Sequence, residues 1–252
     1  MCIRDSLRDF VSLGEATPAL GVKVIKNVSD AISRARKIFQ NSSYEALIAG
    51  SPRLIEQILG GSEELVAGRE RMVAVVSYED DFVPKVDFPW LASRKRLVGV
   101  VPLIIADSAR SLVFREDYVL EITEEGLLRL LLDFYYHSLW RTSTPIKHFE
   151  VEKGLTYTST SLWLIKEVVS EALRNGFNVS IEVEGIDRRE NKRKHVKGDV
   201  EKVVENSHGV TISLLVNVDG KTISIGGLGA KLEDIEGRNF RVHIKNREKN
   251  LL

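Results

Sequence analysis

Residues 224–237 read SIGGLGAKLEDIEG and end an alternating run of apolar and polar residues that starts at Val216. The run favours a β-hairpin that turns at Asp219-Gly220, a dipeptide typical of type I′ turns. Three glycines in four positions, 226 to 229, then leave the main chain uncovered where the strand ends. Another group can therefore approach the backbone N–H and C=O groups closely.

Two carboxylates, Glu233 and Asp234, follow those glycines within a few residues. Bare amides beside a carboxylate suit a neutral polyhydroxyl ligand, because its hydroxyls both donate and accept hydrogen bonds. The competing interpretation is a tight β-turn with solvated acids, since short motifs often occur without the function.

Two motifs resemble the TrmB-type archaeal sugar-responsive transcriptional regulators. The first is GGLGA at 226–230 with LEDIE at 232–236, and the second is NVSIEVEGID at 178–187. The resemblance extends over roughly residues 20 to 245. It implies a sugar-sensing effector region that binds a mono- or disaccharide of the α-glucoside type and thereby modulates DNA binding. It also implies a phospholipase-D-like α/β layer followed by a small C-terminal β-barrel or sandwich.

Composition limits the classes of protein to which the chain can belong. The 252 residues are 43% hydrophobic and 29% charged, which suffices for two modest domains or one large one with a real core. The 36 basic and 36 acidic residues give no overall attraction to nucleic acid. The single cysteine, Cys2, excludes an internal disulfide framework and a thiolate metal site. With no signal peptide and no apolar run of membrane-spanning length, a cytoplasmic location is expected, with no membrane partner.

The sequence predicts an α/β plus all-β fold in two parts. In residues 21–150, strands alternate with helices, which indicates a layered α/β effector domain. The predicted strands are 21–25, 44–49, 72–77, 97–106 and 111–114, and the predicted helices are 27–41, one from Ser51-Pro52, 62–67 and 123–142.

Residues 151–246 are predicted to hold a connecting helix and a C-terminal β-barrel that binds the ligand. The helix is expected over 156–176, with Ser159 or Thr160 as its N-cap and Gly176 as its stop. The strands that follow are expected at 178–187, 196–205, 210–216, 221–225 and 239–244.

Residues 1–20 contain no recognition helix and are interpreted as an artefact and linker remnant. Members of the resembling family begin with a helix-turn-helix module. The expectation is therefore a truncated chain that contacts DNA only through an absent N-terminal winged-helix domain, and that forms a homodimer in the full-length protein.

The resemblance also implies which residues contact the sugar. Carried over onto this sequence, they are Gly227, Leu228, Gly229, Lys231, Leu232 and Glu233, with Ser138 as the match to a family serine and Asn217 as a further polar contact lining the barrel. Glu233 would accept hydrogen bonds from sugar hydroxyls. Lys231 stands where the family motif usually has an apolar residue, so a charged ligand, or none, stays open.

Aromatic rings that suit the C–H faces of a sugar are scattered through the chain. Each is expected to belong to the core or an interface, and one of the last three is a candidate to line the cleft between the halves: Trp90, Tyr135, Tyr136, Trp140 and Trp163.

Catalytic and metal patterns are missing from the sequence. The five histidines show no metal-ligand spacing, and no metal or cofactor is predicted. His195-Val196-Lys197 begins the phospholipase D pattern, but position 202 is lysine rather than aspartate. No enzyme is therefore predicted. The basic run 188–195 lacks interleaved aromatic residues and is interpreted as a solvated hairpin loop.

Two other functional classes stay open beside the sugar sensor. One is an effector fold that has lost ligand binding and serves as a dimerisation or protein-interaction domain. The other is an enzyme of sugar or phosphodiester chemistry, which would require titratable groups clustered in one cleft.

Overall fold

The computed structural model describes residues 21–61, 69–79, 82–99, 101–206 and 211–246. The expected linker remnant at 1–20, the helix at 62–67 and His208 lie outside the described residues. The chain is mixed α/β, with two large sheets and few helices.

An eight-stranded sheet occupies the N-terminal half, in the order β1-β7-β6-β5-β2-β3-β4-β8. β2, β3 and β4 run parallel to one another, and the other neighbours pair antiparallel. The strands are β1 (Val22–Ile25), β2 (Glu45–Gly50), β3 (Met72–Ser77), β4 (Leu91–Lys95), β5 (Leu103–Ala106), β6 (Arg110–Phe114), β7 (Val119–Ile122) and β8 (Thr144–Lys147).

Two helices cover one face of this sheet. Helix α1 (Val28–Asn41) begins after Asn27, whose side chain accepts the backbone N–H of Ser29. Helix α2 (Pro52–Leu59) begins after the N-cap Ser51, with proline at its first position, as the sequence predicts.

The central strand β2 shows why both faces of the sheet must be covered. Ala46 and Ile48 pack with the core beneath α1 and α2, whereas Leu47 and Ala49 pack with the core on the opposite face. All four side chains are fully buried, as expected of a strand enclosed on both sides.

The opposite face is covered by a helix that changes its hydrogen-bond pattern. Helix α3 (Glu125–Asp133) continues directly into a π-helix (Phe134–Trp140). The sequence predicts one helix over 123–142, and the change of period at Phe134 is the correction. Such π segments are frequent at functional sites.

A six-stranded sheet forms the C-terminal half. Its strands are β9 (Thr156–Ser159), β10 (Asn178–Asp187), β11 (Lys192–Glu205), β12 (Ile212–Val218), β13 (Lys221–Gly226) and β14 (Ile235–Lys245). Strands β10 to β14 pair in sequence order, and β14 also pairs with β10, so the pairing closes on itself. The Asp219-Gly220 turn has positive φ at both positions, which confirms the predicted type I′ hairpin.

The connecting helix is shorter than predicted. Residues 156–159 form β9, which pairs with β14, and helix α4 (Leu162–Arg174) begins only after them. Its N-cap is Ser161, which accepts the N–H of Trp163, so the prediction of Ser159 or Thr160 as cap is wrong. Gly176 has a φ of +78° and ends the helix as predicted.

The two halves share one continuous apolar core. One buried apolar cluster contains residues of β2, β3, the π-helix, α4 and strands β10–β14. The described residues contain no helix that is both long and apolar enough to cross a membrane.

Candidate functional site

A cavity of about 640 Å³ opens where the two halves meet. The N-terminal half contributes residues of α3, the π-helix and the β5–β6 turn. The C-terminal half contributes the start of α4 and the glycine-rich segment after β13. The lining includes Ser108, Arg129, Asp133, Tyr136, Thr160, Ser161, Leu162, Trp163, Gly227, Leu228, Gly229, Ala230, Lys231, Leu232 and Glu233.

The structure brings together six of the eight predicted site residues. Gly227, Leu228, Gly229, Lys231, Leu232 and Glu233 all line this cavity. We call residues 227–233 the glycine loop. Its first turn is closed by a hydrogen bond from the Ala230 N–H to the Gly227 carbonyl, 3.0 Å. Gly229 adopts a φ of +83°, which only glycine adopts without strain.

Glycines at the end of β13 leave room for the protein's own side chains. A Cβ on Gly226 would lie 2.8 Å from Cδ of Glu233 and 2.5 Å from Cβ of Ala230. A Cβ on Gly227 would lie 3.3 Å from Cβ of Leu162. The bare main chain therefore admits Glu233 and the start of α4, and sets the shape of the cavity wall.

Two of the three acidic side chains near the loop hold it in place. Asp234 accepts the backbone N–H and the hydroxyl of Ser224, at 3.0 and 2.9 Å, and pairs with Arg189 at 2.9 Å. The backbone N–H of Ser224, followed by its hydroxyl, lowers the pKa of Asp234. Glu236 is 5% exposed and accepts the N–H of Gly229 at 3.2 Å.

Glu233 is the third acid, and its carboxylate is not fully used by contacts within the protein. It is half-buried in the cavity wall, and its Oε2 accepts the N–H of Leu232 at 3.2 Å. Within the described part of the chain, no donor reaches its Oε1. A carboxylate oxygen facing a cavity between subdomains is ready to accept a hydrogen bond from a ligand.

Trp163 forms an aromatic wall of the same cavity. His137 packs edge-on against it with ring centroids 4.8 Å apart, and Arg141 lies over it at 5.3 Å. The indole N–H groups of Trp90 and Trp140 donate to Thr156 and Glu167. The indole N–H of Trp163 has no acceptor in the described ranges.

A buried carboxylate, Glu45, lies behind the polar wall of the cavity. Oε1 of Glu45 accepts hydroxyls of Thr160 (2.5 Å) and Ser108 (3.1 Å), and Oε2 accepts those of Ser159 (2.5 Å) and Tyr136 (3.5 Å). Burial raises the pKa of Glu45, while the hydrogen bonds from Ser159, Thr160 and Ser108 oppose that rise. This hydroxyl cluster joins β2 and the β5–β6 turn of one half to the 159–161 segment of the other.

Sequence reasoning missed Glu45 and its hydroxyl partners. Two signals were present: a glutamate that opens the otherwise apolar strand EALIAG at 45–50, and a hydroxyl-rich run TSTS at 158–161. Each alone is ordinary, because a glutamate at a strand end is usually solvated. Only the packing of β2 against the 159–161 segment shows that they meet.

The structure places Ser138 and Asn217 outside the cavity lining. Ser138 is exposed on the π-helix, and its backbone carbonyl accepts the hydroxyl of Thr142 at 2.6 Å. Asn217 donates to Glu201 at 3.0 Å and accepts the N–H of Gly220 at 3.0 Å, which supports the β12–β13 turn. The Asn217 side chain therefore has a local structural role in that turn.

The basic run 188–195 is divided between a tight turn and the start of β11. Arg188 and Arg189 pair with Glu236 and Asp234 and so brace the acids that hold the glycine loop. Lys194 pairs with Asp187 at 2.8 Å and, with the backbone N–H groups of Glu190 and Arg189, lowers the pKa of Asp187 to about 2. These pairings agree with the interpretation as a hairpin rather than a nucleic-acid patch.

A polar junction fixes the π-helix to α4 beside the cavity. Glu167 accepts the indole N–H of Trp140 at 2.7 Å and Arg94 at 2.8 Å, and Arg94 lies 4.3 Å from the Trp140 ring. No group of three or more potential metal ligands occurs among the described residues.

Two family profiles match the chain. "Transcriptional regulator TrmB, EBD N-terminal subdomain" matches residues 21–147, and "TrmB/TrmBL1, EBD C-terminal subdomain" matches residues 154–245. A curated relative is the HTH-type sugar sensing transcriptional regulator TrmBL1 of Pyrococcus furiosus. It is 25% identical over 249 residues, which covers 90% of this chain and 68% of the relative.

Solved structures give weaker likenesses. TrmBL2, described as an archaeal chromatin protein with a novel mode of DNA binding, has a TM-score of 0.42 and 14% identity, over 57% of this chain and 61% of that chain. Phosphatidylserine synthase of Haemophilus influenzae Rd KW20 has a TM-score of 0.36 and 9% identity, over 63% of this chain and 54% of that chain. At TM-scores below 0.5, neither likeness bears on the assignment. The two profile matches, which together span most of the sequence, show that the chain belongs to the TrmB family of transcriptional regulators and comprises the effector region of that family.

Proposed function

We propose that this chain is a sugar sensor that binds a mono- or disaccharide of the α-glucoside type in the cavity between its halves. The observation that carries the proposal is the convergence on one cavity of the Glu233 carboxylate, the Trp163 ring and the hydroxyl cluster. The volume of about 640 Å³ falls in the range of small-molecule sites.

The chemistry of this wall suits an uncharged polyhydroxyl ligand. An indole face supports the C–H face of a pyranose, while a carboxylate oxygen and fixed hydroxyls take its polar groups. Leu162 and Leu228 add apolar surface to the lining. The charged side chains of the lining, Arg129, Asp133, Lys231 and Glu233, are two basic and two acidic, so the cavity has no single-sign field.

The signalling step would be linkage between ligand and domain arrangement. Both halves line the cavity, so a sugar that fits one arrangement better shifts the population toward it by its differential affinity. We propose that the arrangement is read by a winged-helix DNA-binding module elsewhere in the full-length regulator, which acts as a homodimer. The proposed role is regulatory and not enzymatic.

The finer architecture is part of the same proposal. The closed set β10–β14 would be the small barrel of the ligand-binding subdomain, 151–246, and the eight-stranded layer would be the phospholipase-D-like subdomain, 21–150. The self-closing pairing of β14 with β10 supports the first assignment.

Calorimetric titration with a panel of sugars tests the function. The panel is maltose, sucrose, trehalose, glucose and methyl α-glucoside, with mannitol as a flexible polyol control. We expect saturable binding of at least one cyclic sugar at one site per chain, and a matching rise in melting temperature. Each sugar is tested up to 10 mM, which detects dissociation constants on the order of millimolar. If no sugar of the panel gives heat or a thermal shift at that concentration, the proposal is wrong.

Replacement of Lys231 tests whether the ligand is neutral or anionic. Its side chain is exposed at the cavity rim. If the ligand is a neutral sugar, Lys231→Met is expected to change its dissociation constant by less than about threefold, since an exposed ammonium contributes little. A tenfold loss, together with tighter binding of glucose 6-phosphate than of glucose by the wild type, would show that the site takes an anionic sugar.

One observation favours a second function. Leu232 at the cavity rim is 91% exposed, beside Leu228 at 39%. These side chains would suit contact with another protein surface. A stable dimer in light scattering that Leu232→Ser converts to monomer, beside silent sugar titrations, would favour the interaction domain.

A further inference from the structure

We propose that Glu45 is a positioning residue that makes the hydroxyl wall of the cavity accept, rather than donate, hydrogen bonds, and so selects ligands with a hydroxyl donor at that wall. This inference rests on the proposed function, because it concerns the same cavity. Glu45 itself does not line the cavity and acts through Ser108, Thr160 and Tyr136, which do.

The hydrogen-bond geometry fixes where the hydroxyl hydrogens go. Oε1 of Glu45 lies 2.5 Å from Oγ1 of Thr160 and 3.1 Å from Oγ of Ser108. The two hydroxyl oxygens are also 2.7 Å apart. Hydroxyls of four residues converge on the two Glu45 oxygens, which is the arrangement that an ionised, accepting carboxylate requires. Thr160 then donates to Glu45, and Ser108 donates either to Glu45 or to Thr160. Each hydroxyl has one hydrogen, so only lone pairs remain for the cavity.

The positions of these groups are held by backbone contacts. Asp107 accepts the N–H groups of Tyr44 and Glu45 at 2.7 and 3.0 Å, which holds the β5–β6 turn against the start of β2. Asp107 and Ser108 both have a φ of +51°, in the left-handed region. The charged and titratable groups that act on Glu45 are Asp107, Tyr135 and Tyr136. No basic side chain within the described ranges forms a salt bridge with Glu45.

Glu45→Gln is expected to change the hydroxyl wall from a hydrogen-bond acceptor to a donor, with little change in its shape. Ser159 Oγ accepts the N–H of Ser161 at 2.9 Å and has two acceptors for its own hydrogen: Oε2 of Glu45 at 2.5 Å and the Ser161 carbonyl at 3.3 Å. The much shorter distance directs this hydrogen to residue 45. The amide oxygen of a glutamine would therefore face Ser159, and its NH₂ group would face Thr160 and Ser108. These two hydroxyls would then accept from the amide. Their oxygens are 2.7 Å apart, so one hydroxyl can donate to the other, and the remaining hydroxyl hydrogen would turn toward the cavity.

The test is a titration series at pH 8 with methyl α-glucoside and its monodeoxy and monofluoro derivatives at C2, C3, C4 and C6. Fluorine accepts weakly but cannot donate. For the wild type we expect, besides the position whose preference Glu233→Ala abolishes, a second position at which both the deoxy and the fluoro derivative bind at least about fivefold more weakly, since an unmatched acceptor is left in the wall. In Glu45→Gln, the fluoro derivative at that position is expected to bind within about twofold of the parent.

Two further variants keep the outcome interpretable. Glu121→Gln is the matched control, because Glu121 is 6% exposed but pairs with Arg34 outside this cavity; it should keep the wild-type preference. Should Glu45→Gln not fold, Thr160→Val removes one hydroxyl, and the fluoro penalty should disappear while the parent binds more weakly. A wild-type preference retained in both Glu45→Gln and Thr160→Val would overturn the inference and leave the sugar sensor standing. Absence of binding by the wild type to any sugar of either panel would remove both.

Discussion

Replacement of Trp140 by alanine is expected to lower the free energy of unfolding by about 3–5 kcal/mol, the range for large aromatic residues removed from a core. Trp140 is 1% exposed and stacks with Tyr135 at a centroid distance of 6.2 Å. Its indole N–H donates to Glu167, and Arg94 lies over its ring. The substitution therefore leaves a cavity and also removes a hydrogen bond between the π-helix and α4. Urea unfolding followed by circular dichroism measures the change.

Two companion variants define the cause of that loss. Trp140→Phe keeps an aromatic ring but removes the N–H, so we expect an intermediate loss, with Glu167 still paired to Arg94. Leu130→Ala is the surface control, because Leu130 is 64% exposed on α3; its effect should stay within about 0.5 kcal/mol. A loss below about 1 kcal/mol for Trp140→Ala would contradict the assignment of this side chain to the shared core.

Glu233→Ala is expected to weaken sugar binding by about 10- to 150-fold. Hydrogen bonds to a charged group contribute about 1.5–3 kcal/mol, and each 1.4 kcal/mol is tenfold in affinity. The free Oε1 of Glu233 is the strongest acceptor that the glycine loop offers to a ligand. Calorimetric titration with the best sugar of the panel measures the loss.

Glu201→Ala is the matched control for that experiment. Glu201 is an exposed carboxylate on β11 that accepts Asn217 and Thr222, away from the cavity. Its replacement should leave sugar affinity within about twofold, and it also asks whether Asn217 matters to binding. Equal affinities for wild type and Glu233→Ala, with both proteins folded, would exclude Glu233 as the anchor.

The parts of the fold that depend on strong local patterns were predictable. The apolar strands 45–50 and 72–77, the Ser51-Pro52 helix start and the Asp219-Gly220 turn all follow from local chemistry. The short strands β4, β7 and β8 were missed, because four or five residues give too little alternation to stand out.

Segment 156–159 shows tertiary contacts overriding a local pattern. TYTS reads as the beginning of the following amphipathic helix, yet it pairs with β14. Pairing moves the helix start to Leu162 and turns Ser159 and Thr160 toward Glu45. The hydroxyl cluster therefore depends on a register that single-sequence reasoning does not provide.

The candidate site, like the fold, has one part that was predictable from the sequence and one that was not. The glycine loop was predictable because its motif is contiguous, and all six of its predicted residues line one cavity. The different roles of Glu233, Asp234 and Glu236 were not predictable, since they depend on Ser224 of β13 and on Arg188 and Arg189 of the β10–β11 turn, which contact Asp234 and Glu236. The opposite wall comes from residues more than sixty positions earlier in the chain.

A crystal structure of the chain with the sugar that raises its melting temperature most would test the sugar-sensor account most directly. The account predicts the sugar between the glycine loop and Trp163, with one of its hydroxyls within about 3.2 Å of Oε1 of Glu233. A sugar bound elsewhere, such as in the cavity beside α1 or the groove near His195 and Arg238, would contradict it.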